Sequence, residues 1–118
     1  MMKNALTINQ NRDFLRLYRK GQSQVSPLLV TYARRNGSKT RRVGITATKK
    51  IGGAVQRNRA KRLIRAAWQQ TEPLVPPGWD VIFVARGRTT GAKMPEVRDT
   101  MSRHLSRLTS PQKKKDET

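Results

Sequence analysis

Arg42-Val-Gly-Ile-Thr-Ala-Thr-Lys-Lys-Ile-Gly-Gly-Ala-Val-Gln-Arg-Asn-Arg-Ala-Lys-Arg-Leu-Ile-Arg65 carries two hydrophobic periods in immediate succession. Over Val43–Thr48, apolar residues alternate with small or polar ones, the period-2 pattern of a strand with one buried face. Lys49–Ala54 is a basic loop hinged by two glycines. From Val55 the apolar residues return at helical spacing, which predicts a helix of about 17 residues through Thr71. Glu72-Pro73 and Pro76-Pro77-Gly78 end it. Trp79–Ala85 is nearly continuous in apolar residues over a strand-like length and reads as a fully buried strand. Strand, helix and strand in this order form a crossover unit around which the remaining elements must pack.

Upstream, Asn11 is placed to cap a helix with Asp13 in its positive first turn. Phe14, Leu17 and Tyr18 recur at i, i+3, i+4 before Gly21 stops it. A short strand is possible around Gln22–Val25, and Leu28–Ala33 is rich in strand formers. Asn36-Gly37 then predicts a hairpin into Val43–Thr48, because both residues tolerate positive φ. Downstream, Pro95 suits the first turn of a last helix on which Val97, Met101, Leu105 and Leu108 share one face. The expected order is helix, two or three strands, helix, strand, helix. That is a single-domain α+β sandwich, with helices on one sheet face and the other face or a groove left free. Residues 1–10 read as a flexible N-terminal arm, 11–109 as the domain, and 110–118 as a polar, basic, disordered tail.

The chain has 118 residues, 35% of them hydrophobic, enough for one self-sufficient domain. It has no cysteine, which excludes disulfides, a thiolate nucleophile and Cys-ligated metals and agrees with a reducing compartment. Neither a membrane-length apolar run nor a signal-peptide stretch is present, so a cytoplasmic protein is expected. Charge dominates: 26 Lys+Arg against 7 Asp+Glu leave a net +19. Such an excess implies a polyanionic partner, most often nucleic acid. Between Asp13 and Glu72 lie 58 residues without a single acid, and they hold 15 of the basic side chains. The partner surface is therefore expected in the first two thirds of the chain.

A helical wheel locates it. With Arg57 at zero and about 100° per residue, Ala60, Leu63, Ile64 and Ala67 fall within about 240–340°, while Arg57, Lys61, Arg65, Asn58 and Arg62 fall within about 0–140°. Arg57, Lys61 and Arg65 form a ridge with rungs about 6 Å apart, comparable with the spacing of phosphates along a nucleic-acid strand; Arg59 lies off it. A solvated amphipathic helix is the plain alternative. No acid stands at i±4 to relieve these charges, however, so they repel one another unless an external anion is present.

The run from Arg42 to Arg65 closely resembles the signature of the bacterial ribonuclease P protein component. Lys49-Lys50, Gly52, Ala54-Val55, Arg57-Asn58-Arg59, Lys61-Arg62 and Arg65 match it in spacing. The resemblance continues through Asp13-Phe14, Tyr18, Gly21, Tyr32 and Asp80–Arg86, leaving only the two tails outside. Gly53 and Thr48 are mild departures, where the family often has Asn and Ser. The resemblance implies an unusual left-handed strand–helix–strand crossover, where general precedent favours the right hand. It implies binding of a large catalytic RNA through Arg57, Asn58, Arg59, Lys61, Arg62 and Arg65. It further implies a central cleft holding the single-stranded 5′ leader of precursor tRNA, with cleavage to the mature 5′ end carried by the RNA and its Mg²⁺.

The residue inventory agrees with a binding role. Phosphodiester hydrolysis needs a positioned base, acid or metal cluster, yet the chain has one histidine and seven scattered acids. No catalytic residue and no protein-bound cofactor or metal is expected, and no obligatory protein partner is evident. His104 lies one residue from the apolar stripe, a boundary or exposed position. Phe14, Tyr18 and Tyr32 could stack bases whatever their sequence; Phe14 could equally be core. Lys49 and Lys50 would flank the same cleft. Trp68 could be buried or exposed, and Arg34, Arg35, Lys39, Arg41 and Arg42 fit an exposed hairpin tip. The competing function is a structural, ribosomal-type RNA-binding protein. A DNA-binding helix-turn-helix and a protein-only nuclease find no support in the motifs.

Overall fold

A computed structural model describes residues 5–109. Its elements run β1 (Ala5–Thr7), α1 (Asn11–Lys20), β2 (Gln22–Val25), β3 (Leu29–Arg35), β4 (Arg41–Thr46), α2 (Ala54–Thr71), β5 (Trp79–Ala85) and α3 (Met94–Thr109). They form one α+β domain whose mixed sheet has the order β1-β4-β5-β3-β2. β5 is central, parallel to β4 and antiparallel to β3, as its unbroken apolar run requires. Because β4 and β5 are parallel neighbours, α2 must cross over one sheet face to connect them.

Side-chain alternation divides the sheet. On one face Leu29, Ala33, Val81, Phe83 and Ala85 meet Ala60, Ile64, Ala67 and Trp68 of α2 and Val97, Met101, Leu105 and Leu108 of α3 in the main core. On the other face Ile82 packs with Ile8 and Leu17, flanked by Phe14, Tyr32 and Val84. The second face is thus partly covered by α1, whereas helices were expected on one face only.

Three local expectations are corrected. The arm expected over residues 1–10 contains β1, which pairs in parallel with β4 through Ala5–Arg41, Leu6–Arg42 and Thr7–Val43, and Ile8 is buried. Three residues carry too little periodicity to reveal a strand whose partner lies far along the chain. Asn11 does not cap α1; the N-cap is Gln10, without a side-chain capping bond. The hairpin expected at Asn36-Gly37 does not form, since β5 lies between β3 and β4. The Asn36 N–H donates to Gly78 O and the Gly78 N–H to Thr40 O, so this loop straddles the start of β5. The tight hairpin is instead β2–β3, closed by Ser26, whose hydroxyl donates to Leu29 O and accepts from the Leu28 and Leu29 N–H groups. The tail expected over 110–118 lies outside the described residues.

Arg35, Arg41 and Arg42, expected at an exposed hairpin tip, tie elements together. Arg42 holds Asp80 in a fork, Nε–Oδ1 2.8 Å and Nη2–Oδ2 2.6 Å, and reaches Asp13 at 3.4 Å. The hydrogen bond to Asp80 raises the Arg42 pKa above its ordinary value, so the guanidinium stays charged. Arg41 donates to Val75 O and pairs with Glu72. Arg35 lies 5.2 Å over the Trp79 ring.

Candidate nucleic-acid interface

α2 begins at a glycine pair for a backbone reason. Gly52 has φ 141° and ψ −157°, a conformation open essentially to glycine alone, and a Cβ there would lie 3.2 Å from the Gln56 Cβ. Gly53 is the N-cap; the Gln56 carboxamide oxygen accepts from its N–H at 3.1 Å. Ahead of it Lys49 and Lys50 stand exposed on a single 3₁₀ turn, Lys49–Ile51, which Thr48 caps by accepting from the Lys50 N–H.

The outward face of α2 is rotated from the expected ridge. Ala60, Ile64, Ala67, Trp68 and Thr71 are buried, with Trp68 packed on Phe83 at 5.7 Å between ring centroids. Seating the indole turns the helix so that Arg57 and Lys61 become half-buried flanks. The Arg57 guanidinium donates to Gly52 O at 3.0 Å, bracing the loop. Asn58, Arg59, Arg62 and Arg65 are the exposed members, so Asn58–Arg62–Arg65 is the outward ridge, and Arg59 joins that surface. Among the described residues Arg59, Lys61, Arg62 and Arg65 have no ion pair. The described acids are engaged elsewhere: Asp13 and Asp80 with Arg42, Glu72 with Arg41, Asp99 with Arg98, and Glu96 accepting from the Lys93 N–H.

The three aromatic candidates come together on the other sheet face. Phe14 and Tyr18 lie 6.3 Å apart, and Tyr18 meets Tyr32 edge-on at 4.9 Å. Phe14 is half-buried over Gly44, where a Cβ would come 3.0 Å from its ring; it is both core and wall. Tyr18 is 38% exposed, and partial burial followed by the neighbouring Tyr32 raises its pKa, so it keeps its phenolic proton. Sequence reasoning missed the floor beside them. Register places Val25, Val30, Val84 and Thr46 in one row across β2, β3, β5 and β4, and Val25 is 64% exposed. Val30, two residues before Tyr32 and so on its face, was the one visible signal. β4 leaves this row at Thr46 and runs into the Lys49–Lys50 turn.

His104 is buried rather than exposed or at a boundary, and Thr31 Oγ1 lies within 2.8 Å of its Nδ1. Burial, with Arg103 and Arg107 nearby, lowers its pKa to about 4. It faces the main core and touches neither surface. Among the described residues no group of three His, Asp or Glu side chains could hold a metal ion. No described helix is long and apolar enough to cross a membrane.

Fold and surface together define a small, strongly basic α+β domain with an unpaired cationic helix on one side of its sheet and an aromatic, valine-floored strip on the other. The sequence model of the family described as Ribonuclease P matches residues 2–109. The ribonuclease P protein component of Alkaliphilus oremlandii is 35% identical over 107 residues, covering 91% of this chain and 94% of that one. The ribonuclease P protein component of Oceanobacillus iheyensis is 36% identical over 105 residues, covering 88% and 86%. The solved RNase P protein of Staphylococcus aureus superposes with a TM-score of 0.75 at 29% identity, covering 88% of this chain and 97% of that one. The Thermotoga maritima RNase P protein gives 0.72 at 27% identity, covering 87% and 94%. The chain belongs to the ribonuclease P protein family.

Proposed function

We propose that this protein is the RNA-binding subunit of a cytoplasmic ribonucleoprotein that removes the 5′ leader from precursor tRNA. α2 grips the catalytic RNA through Asn58, Arg59, Arg62 and Arg65, with Arg57 and Lys61 at its flanks. The strip bounded by Phe14, Tyr18 and Tyr32 receives the single-stranded leader, and Lys49 and Lys50 meet its phosphates. The observation that carries this reading is the separation of the two surfaces. A rigid RNA body and a flexible strand can be held at once because an unpaired basic helix and an aromatic strip lie on opposite sides of one sheet. Stacking on a ring contributes about 1–3 kcal/mol per base whatever the sequence, which suits leaders of variable sequence.

Bond cleavage, with the Mg²⁺ it uses, belongs to the RNA in this reading. The protein positions the substrate and neutralises phosphates, lowering the magnesium the RNA needs. Family membership favours this role over that of a structural, ribosomal-type RNA-binding protein. The test is cleavage of precursor tRNA by bacterial ribonuclease P RNA at low Mg²⁺, with and without the protein. A gain in cleavage is expected, and no gain would overturn the proposal.

A further inference from the structure

α1 carries a second cationic face that neither surface above includes. Arg12, Arg16 and Arg19 recur at i, i+4 and i+7, with Lys20 beside them; all four are exposed and bound an open depression around Leu15, itself 43% exposed. Among the described residues none of these cations has an ion pair or hydrogen-bond partner. The one acid of α1, Asp13, points inward to Arg42. Cations a helical turn apart without an acid between them destabilise an isolated helix, and an anion laid along them removes that cost. Rungs about 6 Å and then about 4.5 Å apart along the helix are comparable with the spacing of consecutive phosphates, and Leu15 offers a ribose or base an apolar seat.

We propose that the outer face of α1 binds the distal part of the precursor leader, beyond the nucleotides held at Tyr18 and Tyr32. This rests on the reading that the aromatic strip holds the leader. Two observations favour the leader over the catalytic RNA. α1 packs on the sheet face opposite α2 and α3, so a rigid RNA body seated on α2 lies on the far side of the sheet. Tyr18, on the inner side of α1, borders the strip, and Arg19 and Lys20 follow it directly in the chain. A strand leaving the strip over α1 therefore meets the basic face next.

The test uses holoenzyme reconstituted with bacterial ribonuclease P RNA and precursor tRNAs whose leaders lengthen one nucleotide at a time from none. Arg12→Gln/Arg16→Gln/Arg19→Gln, three exposed substitutions, is compared with wild type and with Tyr32→Ala. For long leaders the triple variant is expected to lose on the order of tenfold in affinity and to flatten the salt dependence by about two, at roughly 0.7 per single-stranded phosphate. For the shortest leaders and leaderless tRNA it should match wild type. Equal binding at every leader length, or an equal loss on leaderless tRNA, overturns the α1 proposal. Wild-type affinity that ignores the leader altogether instead overturns the reading of the aromatic strip on which it rests.

Discussion

His104 is 5% exposed between the sheet and α3, and its folded pKa of about 4 lies below the ordinary 6.5 of the unfolded chain. Between those values the unfolded state binds a proton that the folded state does not, so protonation favours unfolding. The neutral histidine's contribution is fully present above about pH 7 and is lost as pH falls toward 4, amounting to at most ~3 kcal/mol. Thermal unfolding at neutral and mildly acidic pH should show it. His104→Asn, which keeps a polar atom near Nδ1 and removes the titration, should lose less melting temperature on acidification than wild type. Equal losses would mean that the carboxylates alone set the acid sensitivity.

For the elements, the useful contrast is between α2 and the aromatic strip. Arg62→Ala should weaken binding to the catalytic RNA and reduce its salt slope by about one phosphate's worth. Arg62 is the cleaner probe than Arg57, whose guanidinium also braces Gly52. Tyr32→Ala should weaken binding of leader-bearing substrate and leave leaderless tRNA unaffected; both losses falling on one ligand would refute the division into two surfaces. α2 was legible in the sequence because its apolar spacing is helical, but its exact facing was not, since the wheel could not foresee Trp68 seating on Phe83. Phe14, Tyr18 and Tyr32 were legible as candidates through residue type, and only the sheet brought their rings together. Asn36-Gly37 misled because local turn preference competes with non-local pairing: the apolar run of β5 demanded neighbours on both sides and took the place between β3 and β4. His104 was misplaced because spacing along α3 says nothing of a hydroxyl on β3 able to satisfy its ring.

At the scale of the whole molecule, a net +19 has two unpaired cationic helix faces as its structural expression. Self-repulsion penalises the compact state, while anions that bind the folded form stabilise it, by about 2.7 kcal/mol at a hundredfold excess over Kd. Sulfate, phosphate or RNA should therefore raise the melting temperature by several degrees at an ionic strength matched with chloride. Equal melting curves in both salts would show that these faces hold no anion in the folded state.

The late arrival of β5 has a further consequence, for the chain as it is synthesised. Until Trp79–Ala85 emerges, β1–β4 and β2–β3 are two separate pieces with no seam between them, and α2 lacks the Phe83 ring against which Trp68 packs. Contacts so distant in sequence form slowly, and the strand that joins the pieces is made after most of the basic residues. A nascent chain of this protein thus presents its cationic segments to the surrounding ribosomal RNA before it has a sheet to display them on.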